Sequence, residues 1–384
     1  QKKFHDLVLV LVSELSSAHA PVRKTVQSLI KLVAELSNKS ITSLLEPFRV
    51  SLNNSIREDR FTGLPVHLQT GFCEAVTFFL SLEPPLLNLT PQIKRIVEKA
   101  LIIASGKKDD QNQNKEVDRK NQFALKMSCM KLLREALNSP DLKASEHVTL
   151  RNKIIEVFFN YLASVNKDVV AISKSGLATF IYQQRLPKDL LQTSLRPILS
   201  NLANVQKLTI PVLQTLSHLL ELCTSYFSVK LGEQLRDHLK KWQDPTKITH
   251  LQGKGEAPMV AAKIQDLFAL LPPDAKKFLK ELVPLVIQLE NAWAEFCTEY
   301  SSPFRKPLAK FLNQYPEETI QFFFGPAPAE EETTTAEQSE AIVIDQEAAF
   351  KMFVSILKAK DSNRLREAAQ DTDLIAKVTL NRVT

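Results

Sequence analysis

His218 and Glu221 give an H-x-x-E spacing with Cys223 close by, side chains from which a divalent metal site could be built. Such a site needs further convergent ligands, and the chain contains neither HExxH nor paired CxxC motifs. Cys223 also falls on an apolar stripe, which predicts a core thiol beside surface polar groups. His5 with Asp6, and Asp237 with His238, are adjacent in sequence, and on a helix such neighbours point in different directions. GKGEAP at 253–258 holds the one glycine pair close enough to suggest a phosphate nest. It lacks the GxxxxGK[ST] spacing and follows no predicted strand, so a loop between helices is the better reading. RDHLKKW at 236–242 is the best basic-aromatic cluster, but Glu233 and Asp237 interleave with it. We read it as a solvent face with Trp242 packed inward rather than a nucleic-acid contact. HRD, DFG and a glycine-rich loop are absent, so no kinase signature is present. No residue is nominated as catalytic, cofactor-binding or metal-ligating, no cofactor is expected, and the reading is of a binding scaffold rather than an enzyme.

Cys73, Cys129, Cys223 and Cys297 stand far apart in apolar helical contexts. A disulfide framework or zinc site would cluster them, so reduced core thiols of an intracellular protein are predicted. The 384 residues suffice for two or three domains or one continuous repeat array. Eight glycines against 20 prolines argue against a sheet-and-turn fold. A net charge of +6, from 49 basic and 43 acidic residues, describes a mixed surface rather than a polyanion-binding one. No apolar run approaches the roughly 18–20 residues of a membrane span. No signal peptide is recognised, and the opening QKKFHDLVLVLVSEL lacks an initiator Met and reads as part of something larger.

The apolar period is helical almost everywhere. Val22, Val26, Leu29, Ile30, Val33 and Leu36 step by three and four, which predicts one apolar face. Leu150, Ile154, Phe158, Tyr161, Leu162 and Val165 do the same, as do Val212, Leu213, Leu216, Leu219, Leu220 and Cys223. Thr90-Pro91 reads as a capping hydroxyl before a first-turn proline, and Pro21, Pro187 and Pro273 mark further starts. Pro47, Pro197, Pro211 and Pro284 fall within or near the start of periodic runs and should kink or break those helices. Helix pairs recur at roughly forty residues, the range of HEAT and armadillo repeats. The predicted fold is all-α, a HEAT-type solenoid of tandem amphipathic helix pairs. Helical repeats are expected over 1–104, 123–324 and 341–384. Segment 105–122 is charged and amide-rich with Val117 its sole apolar residue, and 325–340 has five glutamates and no Lys or Arg. Both are expected to be loops or disordered insertions, because they bury too little apolar area to offset ordering entropy.

Residues 301–324 carry three prolines, Pro303, Pro307 and Pro316, between apolar residues at helical spacing. Phe304, Leu308, Phe311 and Leu312 should share one face, and Ile320, Phe323 and Phe324 another. The text SPFRKPLAKFLNQYPEETIQFF in this stretch resembles the helical-repeat region of the transformation/transcription domain-associated protein family. LRPILSNLANVQKLTIPVLQTLSHLLELCTSYFSVKL (195–231) and HLKKW (238–242) match the same family in the same order. FHDLV (4–8), KSITSLLEPFRVSL (39–52) and FKMFVSILKAKDSNRLREA (350–368) extend the likeness over most of the chain.

The resemblance implies a segment of HEAT solenoid from a very large, phosphatidylinositol-kinase-related pseudokinase. It implies a nuclear subunit of SAGA-type histone acetyltransferase complexes that receives transcriptional activators. Implied partners are other complex subunits and acidic activators, with no sequence-specific nucleic-acid contact and no membrane. The family assigns no catalytic residues to this region, and the activator-binding residues stay unknown. Two other scaffolds share tandem helices, an importin-type transport receptor and a phosphatase HEAT scaffold. The first would have to bind a nucleotide-charged transport GTPase, and the second usually shows cleaner repeats. An enzymatic role would have to reside in a kinase domain outside this chain.

Overall fold

A computed structural model describes residues 2–106, 116–183, 207–224, 229–244, 256–298, 301–325 and 346–371, with isolated positions between 189 and 204 and at 227. No strand occurs among the described residues. The chain divides into two compact units, Gln1–Ser194 and Leu195–Thr384.

The first unit contains α1 (Lys2–Glu14), α2 (Ala20–Leu36), α3 (Ile41–Leu45), α4 (Arg49–Ser55), α5 (Glu58–Gly63) and α6 (Val66–Leu80). It continues through α7 (Pro91–Ala104), α8 (Glu116–Asn138), α9 (Val148–Tyr161) and α10 (Lys167–Gln183). Its centre is the packing of α6 and α7 on α8 and of α8 on α10. Gly71 of α6 lets that helix approach the turn after α1: a Cβ there would lie 2.2 Å from the Ser16 carbonyl oxygen. The second unit contains α11 (Ile210–Cys223), α12 (Val229–Trp242), α13 (Glu256–Asp266), α14 (Leu279–Ala292), α15 (Arg305–Leu312), α16 (Pro316–Phe324), α17 (Gln346–Leu357) and α18 (Asn363–Gln370). Its core gathers Trp242, Phe268, Phe278, Phe304 and Phe311, all fully buried.

Local sequence explains most boundaries. Thr90 accepts a 3.4 Å hydrogen bond from the Ile93 amide, and Pro91 opens α7 where its missing N–H costs nothing. Pro21 sits in the first turn of α2, and Pro273 opens a 3-10 helix that leads into α14. Pro47 breaks the chain between α3 and α4 in a 3-10 turn, as predicted. Pro211 starts α11 instead of breaking it. Pro284 lies inside α14, which runs on to Ala292. Leu282, Val283, Leu285, Val286 and Leu289 are buried around it, and this burial outweighs the single backbone bond that proline forfeits. Pro187 and Pro197 lie outside the described residues.

Three expectations change. Helix α8 begins at Glu116, inside the segment 105–122 expected to be a loop. Its start lacks Gly and Pro, and Leu125, Cys129, Leu132 and Leu133 further along are buried. Residues 107–115, and 326–345 with most of the acidic segment, lie outside the described residues. The α2 stripe is also not one face: Val26 and Ile30 are buried, whereas Val22, Leu29 and Leu36 are exposed. The α9 stripe holds for Leu150, Ile154, Phe158 and Leu162, but Val165 beyond it is exposed.

Polar ties recur at a near-constant chain separation in the second unit. Arg236 of α12 reaches Glu281 of α14, and Gln243 reaches Gln288, each 45 residues on. Lys310 of α15 reaches back 44 residues to Asp266 of α13, and Gln314 reaches back 45 to the Ala269 carbonyl. A fixed separation is what a repeat contacting mainly its neighbours produces.

Candidate functional site

The side chains with chemical potential are separated or neutralised by the fold. In α11 the His218 Nδ1 lies 4.0 Å from a Glu221 carboxylate oxygen at the surface, while Cys223 turns into the core. Burial pushes the Cys223 thiol up to about 11, so it is a neutral core group. Among the described residues, no cluster of His, Cys, Asp and Glu could hold a metal ion.

The cysteines are free thiols, but two of them are not far apart in space. Cys73 of α6 and Cys129 of α8 place their sulfurs 3.9 Å apart, both fully buried. The hydrogen bond with Cys129, then burial, holds the Cys73 thiol well above its ordinary range. Their 56-residue separation gives no sequence signal for this pairing. Cys297 departs from the core-thiol expectation, being partly exposed.

In the basic cluster of α12, Trp242 is fully buried and its carbonyl accepts a 2.9 Å bond from the Trp293 indole. Arg236 is neutralised by Asp237 at 3.0 Å and Glu281 at 3.2 Å. Lys240 and Lys241 are exposed in the last turn, where cations complement the helix dipole. His238 is buried beside exposed Asp237, so the adjacent pair diverges, and His5 stacks on Phe48 at 4.5 Å. In GKGEAP, α13 begins at Glu256, and the two glycines lie outside the described residues.

The segment 301–324 proves to be an architectural node. Phe304, Leu308, Phe311 and Leu312 are fully buried on one face, as their spacing predicts. Ile320 is buried, and Phe323 and Phe324 pack on the same core while partly exposed. Arg305 donates to both carboxylate oxygens of Glu290, at 2.9 and 3.2 Å, and to the Ser355 hydroxyl at 3.1 Å. It thereby joins α14, α15 and α17. Asp266 accepts from Lys263 and Lys310, each at 2.8 Å. Burial alone would raise its carboxyl, but those two ammonium groups hold it below the ordinary value. The Asn313 side-chain oxygen accepts from the Leu365 amide at 3.0 Å, which fixes the start of α18.

Beside this node is a shallow groove of about 480 Å³, lined in part by Glu221, Thr224, Leu270, Pro273, Gln314 and Tyr315. Tyr315 donates to the Pro273 carbonyl at 3.3 Å, and its phenol is raised by burial and by nearby Glu318 and Asp274. No described helix is long and apolar enough to cross a membrane.

Tandem amphipathic helices tied at a regular separation define a helical-repeat architecture. The family model described as the Tra1 HEAT repeat ring region matches residues 1–379, and the chain belongs to that family. It is 34% identical over 329 residues to the probable transcription-associated protein 1 of Dictyostelium discoideum, covering 83% of this chain and 7% of that protein. It is 30% identical over 334 residues to the SAGA complex/NuA4 acetyltransferase complex subunit TRA1 of Saccharomyces cerevisiae, covering 84% and 9%. It is 26% identical over 391 residues to the human transformation/transcription domain-associated protein, covering 96% and 10%. The chain thus spans a tenth or less of the length of these relatives. Membership of this family displaces the importin-type and phosphatase-scaffold readings.

Proposed function

We propose that these residues form non-catalytic scaffold in a nuclear subunit of SAGA- or NuA4-type histone acetyltransferase complexes. The rest of that subunit includes a kinase-like domain without catalytic residues, and the subunit brings acetylation to promoters by receiving transcriptional activators. The observation that carries this reading is the family match over residues 1–379, joined to relatives named as subunits of such complexes. Its physical support is that tandem repeats present large area without a central catalytic cavity. Acidic amphipathic segments bind such surfaces through aromatic and Leu anchors ringed by Lys and Arg, and a net charge of +6 favours their approach.

The test is titration of the 384-residue chain with a labelled acidic activation peptide, read by fluorescence anisotropy at several salt concentrations. Saturable binding that exceeds a charge-matched scrambled peptide is expected. Equal binding of the scramble would remove activator reception from this stretch and leave it a role in complex assembly.

A further inference from the structure

Cys73 and Cys129 stand side by side in the core, and a scaffold gives two adjacent thiols no task. Their register is held from both helices by a second tie one residue away. Glu74, which follows Cys73 in α6, accepts hydrogen bonds from the Ser128 hydroxyl at 2.8 Å and the Lys131 ammonium at 2.9 Å in α8. Ser128 directly precedes Cys129, so neither helix can slide past the other without breaking these bonds. The sulfurs lie 3.9 Å apart, and an S–S bond is about 2.05 Å long, so each sulfur has about 1 Å to travel. Side-chain rotation covers a displacement of that size.

Access is set by packing. Both side chains are fully buried, and the hydrogen bond between the thiols, then burial, keeps Cys73 protonated and so a poor nucleophile. The pair is therefore inert while α6 lies on α8, and it meets reagents only when that joint opens locally. We propose that Cys73 and Cys129 are a latent oxidation site, at which a hydroperoxide drives formation of an intramolecular disulfide that staples α6 to α8. In the opened joint one thiolate attacks an oxygen of hydrogen peroxide, the O–O bond breaks, and a sulfenic acid and one water are formed. On reclosure the second thiol attacks the sulfenic sulfur. The S–S bond forms, the S–O bond breaks, and the hydroxyl departs with the thiol proton as a second water. The two sulfurs lose two electrons in all, and the peroxide gains them. The disulfide closes a loop that contains α7, so it ties three helices of the first unit together. This site is independent of activator reception.

The test is hydrogen peroxide treatment of the 384-residue chain carrying Cys297→Ser, which removes the partly exposed thiol. Remaining thiols are blocked with N-ethylmaleimide in denaturant, and the peptides are mapped by mass spectrometry. A peptide linked through Cys73 and Cys129, abolished by dithiothreitol, is expected. Its rate of formation should rise at least about threefold in urea below the unfolding transition, and the linked chain should melt about 5–10 °C higher. Cys129→Ala should lose both the link and the gain in melting temperature; where that variant does not fold, the map of the parent decides. Sulfinic or sulfonic acid at these cysteines without the link would overturn the proposal, as would a link from either one to Cys223. A rate indifferent to urea would overturn the opening step, and a linked chain that melts no higher would overturn the staple.

Discussion

Arg305 and Glu290 meet as a two-bond fork, Nε to Oε1 at 2.9 Å and Nη2 to Oε2 at 3.2 Å, with side chains only 22% and 13% exposed. A planar guanidinium can make this fork and an ammonium cannot. Arg305→Lys should therefore lower stability, and Arg305→Ala more so, by about 1–3 kcal/mol, because Glu290 is left largely buried without its partner. Thermal unfolding of the 384-residue chain checks this. Glu290→Gln in the Arg305→Ala background should recover part of the loss, and full additivity of the two changes would count against the fork.

Gly71 is a packing requirement rather than a flexible joint. A methyl group there would meet the carbonyl oxygens of Ser16 at 2.2 Å and Ser17 at 2.6 Å, both backbone atoms that cannot rotate away. Gly71→Ala should cost about 1–3 kcal/mol. Gly63→Ala, where nothing lies within 4 Å, should stay within about 0.5 kcal/mol of the parent. Equal effects of the two substitutions on melting temperature would refute the close approach.

Gln265 of α13 is fully buried, and neither its amide nitrogen nor its oxygen has a partner among the described residues. An amide in that position is costly, and Gln265→Met keeps the length of the side chain without the polar atoms. We expect Gln265→Met to stabilise by about 1–3 kcal/mol, seen as a raised urea midpoint. A lowered midpoint would mean the amide is satisfied after all.

Asp266, whose carboxyl Lys263 and Lys310 hold below its ordinary value despite burial, ties stability to pH. A depressed carboxyl contributes stability that is fully present above its unfolded value and is lost as pH falls through its lower folded value. Asp266→Asn should thus melt below the parent at pH 7. The gap should persist to the ordinary carboxylate range and close as pH falls further. A gap that is constant across that range would show that the substitution acts through packing and not through charge.

Fold class was readable from residue types because helical periodicity is local. Phe304, Leu308, Phe311 and Leu312 reached the core as their spacing required. What spacing could not supply was which flank of a wide apolar face is covered. Val26 is buried and Val22 exposed on one helix, and that choice belongs to the neighbouring elements. Pro284 did not end its helix, and five aliphatic residues buried around it offset part of the local penalty. The contact of Cys73 with Cys129 was invisible for the same reason, since it exists only once α6 lies on α8. Polar ties such as Arg305 with Glu290 carry no chemistry, and charge alone does not separate a structural arginine from a binding one.

Because Lys310 reaches back 44 residues to Asp266, and Ser128 reaches back 54 to Glu74, these joints close onto partners that have already been made. A polypeptide emerging from the ribosome can therefore finish each joint after about fifty further residues, a wait of roughly 3–10 s at 5–20 residues per second. It has no need to hold its apolar stripes bare until the last residue is joined. For a protein of the length of these relatives, that turns one slow folding problem into a series of short ones.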